Sequence, residues 1–295
     1  MKVLISGATG FIGQTLLKSL LQNEHQVHAV VRSVNDRRLD AKVTQVTTET
    51  LVQIDEEFDI FINLAGENIA AQPWTKKRKQ ALFDSRVALT NKIQKSLQHR
   101  PKRIISMSAV GYYGVARNGI FDEETPPREG FSHDLCLAWE NAAKAFQDAD
   151  INTHLTIFRL GVVLGKGGAL KKMRLPFLLG MGGPIADGKQ WFPWVHIDDV
   201  VGAITAAMSD DSYQGTFNLV APEVVQQKQF AKYYAASLNR PAFMPTPKWL
   251  LNLIFGEMAS LLTEGPKITC HKLENKGFSF QFGQLERALQ DIEAD

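Results

Sequence analysis

The sequence is poor in cysteine and has no long uninterrupted apolar run. Cys136 and Cys270 are its only cysteines, and they form no Cys-x-x-Cys pair, so neither a disulfide framework nor a zinc site is expected. No stretch reaches the roughly 20 apolar residues of a membrane-spanning helix. No signal peptide is visible, because Met1 and Lys2 lead directly into a strand-length apolar run. These absences predict a cytoplasmic protein with no membrane partner.

An excess of one charge sign is also missing. The chain has 33 Lys and Arg residues against 31 Asp and Glu residues, a formal net charge of +2 at pH 7. Nucleic-acid-binding proteins concentrate positive charge, so no nucleic acid is expected as a partner. The basic clusters at residues 76–79 and 171–172 are interpreted as solvated faces. The expected partner is a small-molecule substrate, bound by a monomer or a homodimer.

Short apolar runs alternate with helical patterns through the first two thirds of the chain. Runs that are continuously apolar are typical of strands covered on both faces by helices. The predicted strands are residues 2–6, 26–31, 60–64, 103–108 and 155–159, and the predicted helices are 12–22, 78–98 and 135–149. This order predicts an α/β fold, a Rossmann doubly wound parallel sheet with a smaller C-terminal substrate lobe.

The pattern changes after Arg159, where glycine becomes frequent. Long glycine-rich loops beside a cofactor domain usually carry function. Beyond them, residues 216–220 predict a strand, and residues 200–208, 229–238 and 278–291 predict helices. Residues 249–262 are interpreted as a core-facing helix, with a helix on a membrane surface as the alternative. The predicted domains are an NADP-binding Rossmann domain at 1–160, to which 191–220 return, and a smaller lobe at 161–190 and 221–295.

A glycine-rich turn follows the first predicted strand and opens the first helix. It reads Gly7-Ala8-Thr9-Gly10-Phe11-Ile12-Gly13. Gly7 permits a sharp turn, Gly10 lets the backbone approach a pyrophosphate, and Gly13 permits close packing of the helix. The helix N-terminus offers free N–H groups and a positive dipole end to phosphates. The turn therefore predicts a dinucleotide site.

The end of the second predicted strand indicates which dinucleotide binds. NAD-selective folds usually place a carboxylate there to hold the ribose 2′-hydroxyl. Here the strand ends with Val31 and Arg32, and a guanidinium fits a 2′-phosphate with forked, charge-assisted hydrogen bonds. The sequence therefore favours NADP(H) over NAD as the cofactor.

Several segments resemble the extended short-chain dehydrogenase/reductase superfamily, which includes nucleotide-sugar epimerases and dehydratases. Its turn has the same GxxGxxG spacing. The other matching segments are Asn63-Leu64-Ala65-Gly66, Ser106-Met107-Ser108 followed by Tyr112-Tyr113-Gly114, Asp122-Glu123-Glu124-Thr125-Pro126 and Val195-His196-Ile197-Asp198-Asp199-Val200. The chain resembles more narrowly a branch called the "epimerase family", which has a C-terminal domain of its own. This resemblance covers nearly the whole chain.

The resemblance implies which residues line the nucleotide. Carried over by position, they are Gly7, Thr9, Gly10, Phe11, Ile12, Gly13, Val31, Arg32, Leu64, Ala65, Gly66, Glu67, Arg86, Ser108 and Val163. The implied group is NADP(H), and no metal is expected.

The superfamily's Tyr-x-x-x-Lys pair is absent from the helix that should carry it. Cys136 stands at the Tyr position and Glu140 at the Lys position. A neighbouring carboxylate disfavours a thiolate, so we expect Glu140 to raise the pKa of Cys136. Cys136 is either a small buried helix residue or a catalytic thiol. Glu140 is either an exposed carboxylate or one paired with Arg.

Other hydroxyl groups could replace the missing pair. Tyr112 and Tyr113 follow the strand that ends at Ser108, at the edge where a switch-point ligand binds. Ser108 could hydrogen-bond a substrate carbonyl or hydroxyl, and one of the tyrosines could be a packed aromatic. His196 is interpreted as a structural link between lobes.

These residues leave three hypotheses of function. The first is an NADP(H)-dependent oxidoreductase or epimerase-like enzyme acting on a small polar or nucleotide-sugar substrate. The second is a catalytically inactive NADP(H)-binding sensor or interaction protein. The third is a partner-binding protein in cell division or membrane organisation. The missing pair favours the second, whereas Ser108 and the tyrosines favour the first.

Overall fold

A seven-stranded parallel sheet forms the centre of the molecule. The computed structural model describes residues 1–150 and 152–294. Ile151 and Asp295 fall within the predicted domain ranges but lie outside the described residues. The strand order is β3-β2-β1-β4-β5-β7-β10, and every neighbouring pair is parallel. The strands are β1 Lys2–Ser6, β2 Gln26–Val30, β3 Thr44–Val46, β4 Ile60–Asn63, β5 Arg103–Ala109, β7 His154–Leu160 and β10 Gly215–Leu219. The predicted fold class is thus confirmed.

Helices follow the strands along the chain. They are α1 Phe11–Gln22, α2 Thr48–Leu51, α3 Lys76–Phe83, α4 Leu89–Ser96, α5 Phe131–Ala149, α6 Gly168–Leu178, α7 Ile197–Ser209, α8 Gln227–Ser237, α9 Lys248–Phe255, α10 Ala259–Thr263, α11 His271–Asn275 and α12 Leu285–Glu293. Two small parallel pairs lie outside the main sheet: β6 Ile120–Phe121 with β11 Lys267–Ile268, and β8 Val162–Leu164 with β9 Trp194–His196. No helix among the described residues is long and apolar enough to cross a membrane.

The strand order reverses between β1 and β4. Strands β2 and β3 lie on one side of β1, and β4, β5, β7 and β10 follow in this order on its other side. Ligands of open parallel sheets bind at such a switch point, outside the carboxyl ends of the strands. The Gly7–Gly13 turn, Leu64 and Ala109 therefore all lie at the edge where a ligand is expected.

The predicted helix at residues 78–98 is wrong in its continuity. The structure breaks it into α3, a π-helical turn at Asp84–Ala88, and α4, which ends at Ser96. A π-turn widens the helix by one residue per turn and is frequent at functional sites. Apolar periodicity does not reveal such a turn, because its helical pattern continues on both sides.

The predicted core-facing helix at residues 249–262 is also wrong. Gly256 has a φ of +55° and ends α9, after which one 3₁₀ turn leads into α10. Only part of the segment is buried: Leu251 is 5% exposed, whereas Trp249 is 67% and Leu253 is 78% exposed. The apolar stretch therefore has an outer face that the described part of the chain does not cover.

The predicted helix at residues 278–291 begins seven residues late, at Leu285. The cause is the buried carboxylate of Asp199. It accepts the backbone N–H groups of Gln281 at 2.6 Å and Phe282 at 3.1 Å. Because these donors are bound to a carboxylate, they are not available for helical hydrogen bonds.

The C-terminal half has an apolar core of its own. Phe177, Phe230 and Tyr234 form part of it, together with Leu285 and Leu289 of α12. Residues 197–219, by contrast, supply α7 and β10, which pack on the main sheet and extend it. The predicted division into domains stays a prediction.

Candidate functional site

The Gly7–Gly13 turn is built so that side chains at its glycines are excluded. Gly7 has a φ of +76°, and a Cβ there would lie 2.6 Å from the carbonyl carbon of Leu64. A Cβ at Gly13 would lie 2.3 Å from the Gly7 carbonyl oxygen. Gly10 is exposed and would meet only that oxygen, at 3.1 Å, so its outer side is open. The turn thus combines tight packing within the fold and open access above Gly10.

The N-terminus of α1 has no side-chain cap. Gly10 occupies the N-cap position, and no acidic residue stands in the first turn. The first N–H groups of a helix lack partners within the helix, so they remain available to an external acceptor. An anion such as a phosphate fits this position, where the helix dipole also favours negative charge.

Phe11, the first residue of α1, contacts the glycine-rich segment after β8. A Cβ at Gly165 or at Gly167 would lie 2.7 Å from the phenyl ring, and one at Gly168 would lie 2.9 Å from it. Three glycines therefore surround one aromatic side chain. The predicted nucleotide residue Phe11 is in this way also the link between the turn and α6.

Arg32 follows β2 and projects into solvent. It is exposed and makes no hydrogen bond or ion pair with any part of the chain that the structure describes. The nearest carboxylate in sequence, Asp36, is hydrogen-bonded and ion-paired with Arg38, which holds the pKa of Asp36 down at about 2. Asp36 is also fixed by Gln45, whose Oε1 accepts its backbone N–H at 2.7 Å. A free guanidinium, and no free carboxylate, therefore marks this end of the sheet.

Asn63 joins the carboxyl ends of three strands. It is fully buried; its Oδ1 accepts the Ser6 hydroxyl at 2.7 Å, and its Nδ2 donates to Ser106 at 3.2 Å. Nδ2 also donates to Thr90 of α4 at 2.9 Å. The Ser6 hydroxyl accepts the backbone N–H of Ala65 at 3.3 Å. This network fixes the path of Leu64 and Ala65, two predicted nucleotide residues.

Arg86 lies on the π-turn and holds the segment after β4. Its Nη2 donates to the Glu67 carbonyl oxygen at 2.8 Å, and a Cβ at Gly66 would lie 2.9 Å from its guanidinium carbon. The same guanidinium stacks 5.1 Å from the Trp139 ring of α5. Burial lowers the pKa of Arg86, and the neighbouring cation of Arg78 lowers it further. The side chain of Arg78 in turn forms an ion pair with Glu67.

The positions of the missing Tyr and Lys lie side by side on α5, both buried. Cys136 is 4% and Glu140 is 1% exposed. Burial raises the pKa of the Cys136 thiol to about 12, and the charge of Glu140 adds to this rise. The thiol is therefore protonated near neutral pH, as a structural residue would be. The pKa shift has the direction expected from the sequence.

Glu140 is paired with arginine, which settles the alternative left open by the sequence. Its Oε1 accepts Nε of Arg159 at 2.8 Å and its Oε2 accepts Nη2 at 3.0 Å, a forked pair. Oε1 also accepts the Ser108 hydroxyl at 2.8 Å. Arg159 is 4% exposed and is the last residue but one of β7. The carboxylate thus has both oxygens bound within the fold.

Tyr113 belongs to the same buried network. Its hydroxyl accepts Nη1 of Arg159 at 3.0 Å and donates to Oδ1 of Asn218 at 2.7 Å. The side chain is fully buried, and burial raises its pKa to about 12. A hydroxyl whose partners are all internal cannot reach a substrate. Of the two predicted tyrosines, Tyr113 is therefore the packed one.

Tyr112 lies between a cation and an imidazole. The guanidinium of Arg159 is 3.4 Å from the centre of its ring, and the ring of His133 is 5.0 Å away. Nδ1 of His133 lies 2.7 Å from the Tyr112 carbonyl oxygen. A carbonyl oxygen only accepts, so Nδ1 of His133 is the donor in this hydrogen bond. Tyr112 and His133 are both only partly buried.

The predicted site residues fall into two groups. Most of the nucleotide set lies along the carboxyl edge of β1, β2, β4 and β5, and Val163 lies on β8 beside the glycine-rich segment. Of the predicted catalytic set, Ser108, Tyr113, Cys136 and Glu140 are buried, and Tyr112 is the partly exposed member.

Sequence reasoning missed His133, Arg78 and Asn218. His133 stands three residues before Cys136, so helical periodicity places it on the same face of α5, a signal that was available. Arg78 and Asn218 give no such signal. Arg78 stands in a basic cluster that is typical of solvated faces, and Asn218 reaches Tyr113 only through the pairing of β10 with β7.

Comparison with known proteins identifies close likenesses over the full chain. Residues 3–219 match the model of the NAD dependent epimerase/dehydratase family, and residues 246–292 match a domain of unknown function, DUF1731. The chain is 35% identical to mouse epimerase family protein SDR39U1, covering 100% of both chains. It is 34% identical to epimerase family protein YfhF of Bacillus subtilis, covering 100% of this chain and 99% of the relative. The crystal structure of human SDR39U1 (isoform 2) with NADPH superposes with a TM-score of 0.91 at 33% identity, covering 99% of each chain.

Proposed function

Because this chain belongs to the NAD dependent epimerase/dehydratase family, we propose that it binds NADP(H) and acts on a small polar or nucleotide-linked substrate. The observation that carries the cofactor assignment is Arg32, an exposed and unpaired guanidinium at the end of β2. The human structure with NADPH, which resembles this chain over its full length, supports the same assignment.

The residues of the turn suit a dinucleotide. The uncapped N-terminus of α1 would bind the pyrophosphate, and Gly10 leaves room for the backbone to approach it. Arg32 would bind the 2′-phosphate, and Asn63 would hold Leu64 and Ala65 in place beside the adenosine. Arg86 would contribute a fixed positive charge near Cys136. When bound, the dinucleotide supplies hydride transfer, which none of the twenty side chains provides.

Proton transfer in this proposal falls to Tyr112. Tyr112 follows the carboxyl end of β5, and its ring is held in place by Arg159 and His133. Nε2 of the partly buried His133, whose Nδ1 is bound to the Tyr112 carbonyl oxygen, would exchange the proton with solvent. Ser108 acts through Glu140, which it orients by donating to Oε1. Cys136 takes no part, since its thiol stays protonated.

The experiment is a screen of sugar nucleotides and small carbonyl compounds with NADPH and NADP⁺, followed by variants on any substrate found. Tyr112→Phe should lower kcat by about 10²–10⁴-fold, the usual contribution of a general acid or base. The matched control is Tyr233→Phe on α8, a partly buried tyrosine away from the sheet edge, which should leave kcat unchanged. Survival of kcat in Tyr112→Phe together with its collapse in Cys136→Ala would make the thiol the reacting group.

A second candidate is an NADP(H)-binding sensor without hydride chemistry. The buried network of Glu140, Arg159 and Tyr113 favours it, because it satisfies internally the groups that would otherwise reach a substrate. A sensor should bind NADPH and NADP⁺ with different affinities and turn over neither. Exchange of deuterium from labelled NADPH into any compound of the screen would exclude this candidate.

A further inference from the structure

Two segments of the C-terminal half, residues 171–181 and 240–254, carry large apolar side chains on the outside. Eight such side chains are between 46% and 78% exposed: Leu175, Leu179, Met181, Phe243, Met244, Trp249, Leu253 and Ile254. On α9, Trp249 and Leu253 stand one turn apart on one face, whereas Leu251 is buried. Ile254, next to Leu253, is 50% exposed. Single exposed apolar residues are normal, but a cluster of eight indicates a surface that is covered by something.

The two segments contact each other where residues 178–184 run beside residues 240–246. Nε of Arg240 donates to the Leu178 carbonyl oxygen at 2.9 Å. The backbone N–H of Thr246 donates to the Pro184 carbonyl oxygen, also at 2.9 Å. Between these contacts the chains touch so closely that a Cβ at Gly183 would lie 2.3 Å from the backbone of the facing segment. We call this surface the basic apolar face.

The charge of the face has one sign. Residues 171–181 and 240–254 contain five basic residues and no acidic residue: Lys171, Lys172, Arg174, Arg240 and Lys248. Carboxylates from elsewhere pair with two of them, Glu293 with Arg174 at 3.0 Å and Glu264 with Lys248 at 2.7 Å. Lys171 and Lys172 are exposed, and within the described ranges they have no acidic partner. The face therefore combines exposed apolar groups with a net positive charge.

A second copy of the chain is a poor occupant for this face. A two-fold contact would place the same surface against itself and bring the net positive charge of one copy against that of the other. A membrane surface of anionic lipids meets both requirements at once. Apolar side chains of a surface helix enter the boundary between headgroups and acyl chains, and basic residues bind the anionic headgroups. With eight residues, α9 is suited to lie on such a surface and not to cross it.

We propose that the basic apolar face binds an anionic lipid surface, with Trp249, Leu253 and Ile254 inserted at the interface. The basic cluster at residues 171–172 is then a lipid-headgroup contact, and not the solvated face that composition suggests. The proposal does not depend on the nucleotide site. No residue of the face belongs to the Gly7–Gly13 turn, although Phe11 of that turn packs on Gly168 at the start of α6.

The test is co-sedimentation of the full chain with vesicles of pure phosphatidylcholine and with vesicles of phosphatidylcholine and phosphatidylglycerol in equal parts. We expect binding to the anionic vesicles and little to the neutral ones, weakening as salt is raised. Trp249 is the exposed tryptophan among the five of the chain, so its emission should shift to the blue on binding. Lys171→Glu with Lys172→Glu should weaken binding by at least about fivefold per charge.

Matched controls separate the face from the rest of the surface. Leu253→Glu should abolish binding to anionic vesicles, whereas Val52→Glu, which changes an exposed apolar residue outside the face, should not. Lys18→Glu on α1 controls for net charge. All variants should keep the wild-type melting temperature and NADPH affinity. Failure to bind either vesicle, equal loss in Val52→Glu, or a concentration-dependent dimer that Leu253→Glu dissolves would each overturn the proposal.

Discussion

Reversal of the charge at Arg32 should remove the preference for NADPH over NADH. Two unit charges about 4 Å apart in bulk water interact by ~1 kcal/mol, and a phosphate carries about two charges. Arg32 is solvent-exposed, so this high-dielectric value applies to it. The expected preference for NADPH in the wild type is at least about tenfold, or ~1.4 kcal/mol. Arg32→Asp replaces attraction with a comparable repulsion, so NADPH affinity should fall on the order of a hundredfold.

The assay is titration calorimetry with NADPH and with NADH at two salt concentrations. NADH has no 2′-phosphate, so its affinity should change little in Arg32→Asp. The matched control is Arg287→Asp on α12, another exposed arginine, which should leave both affinities unchanged. Higher salt should reduce the difference in affinity between NADPH and NADH in the wild type, because exposed charges are screened.

Two results would refute this reasoning. Equal affinity of the wild type for NADPH and NADH would mean that Arg32 does not read the 2′-phosphate. Equal weakening of both nucleotides in Arg32→Asp would mean that the residue acts through the fold. The second result would be unexpected, because Arg32 makes no hydrogen bond or ion pair within residues 1–150 and 152–294.

Further substitutions and conditions test other parts of the molecule. Glu140→Ala leaves Arg159 as a buried cation without its counter-ion, so urea titration should show a loss of about 3–5 kcal/mol in unfolding free energy. Gly13→Ala places a Cβ 2.3 Å from a carbonyl oxygen of its own turn, so calorimetry should show no NADPH binding. The Cys136 thiol, with its pKa near 12, should resist iodoacetamide in the folded protein, as followed by mass spectrometry. Burial lowers the pKa of His196, so near its ordinary pKa the unfolded chain binds more protons than the folded one. The free energy of unfolding should therefore fall as the pH drops below about 6.5. In His196→Gln it should fall less steeply.

The sheet and the cofactor turn could be predicted because their signals are local. Each buried strand is a short continuous apolar run, and each glycine of the turn meets a steric requirement within a few residues or across one strand. The structure moves no end of a predicted strand by more than one residue. It adds one short strand to the main sheet, β3, whose sequence Thr44–Val46 is too short and too polar to stand out.

The polar network and the outer face could not be predicted, because both depend on distant parts of the chain. Glu140 meets Arg159 across 19 residues, and Tyr113 meets Asn218 across 105. No spacing rule connects such pairs before the strands are paired. The exposure of Trp249 and Leu253 is likewise decided by the break at Gly256, since an unbroken helix of the same composition predicts burial.

The packing of Phe11 among Gly165, Gly167 and Gly168 has a consequence for how this protein can vary. The Phe11 ring occupies the space that side chains at the three glycines would need. A side chain added at one of these glycines would clash with the ring, and a smaller residue at position 11 would leave a void. A homologue with a small residue at position 11 should accept alanine at one or more of the three glycines. The four positions thus form a unit of covariation that connects the cofactor turn with α6, and exchange of all four together between relatives should preserve the fold where single exchanges do not.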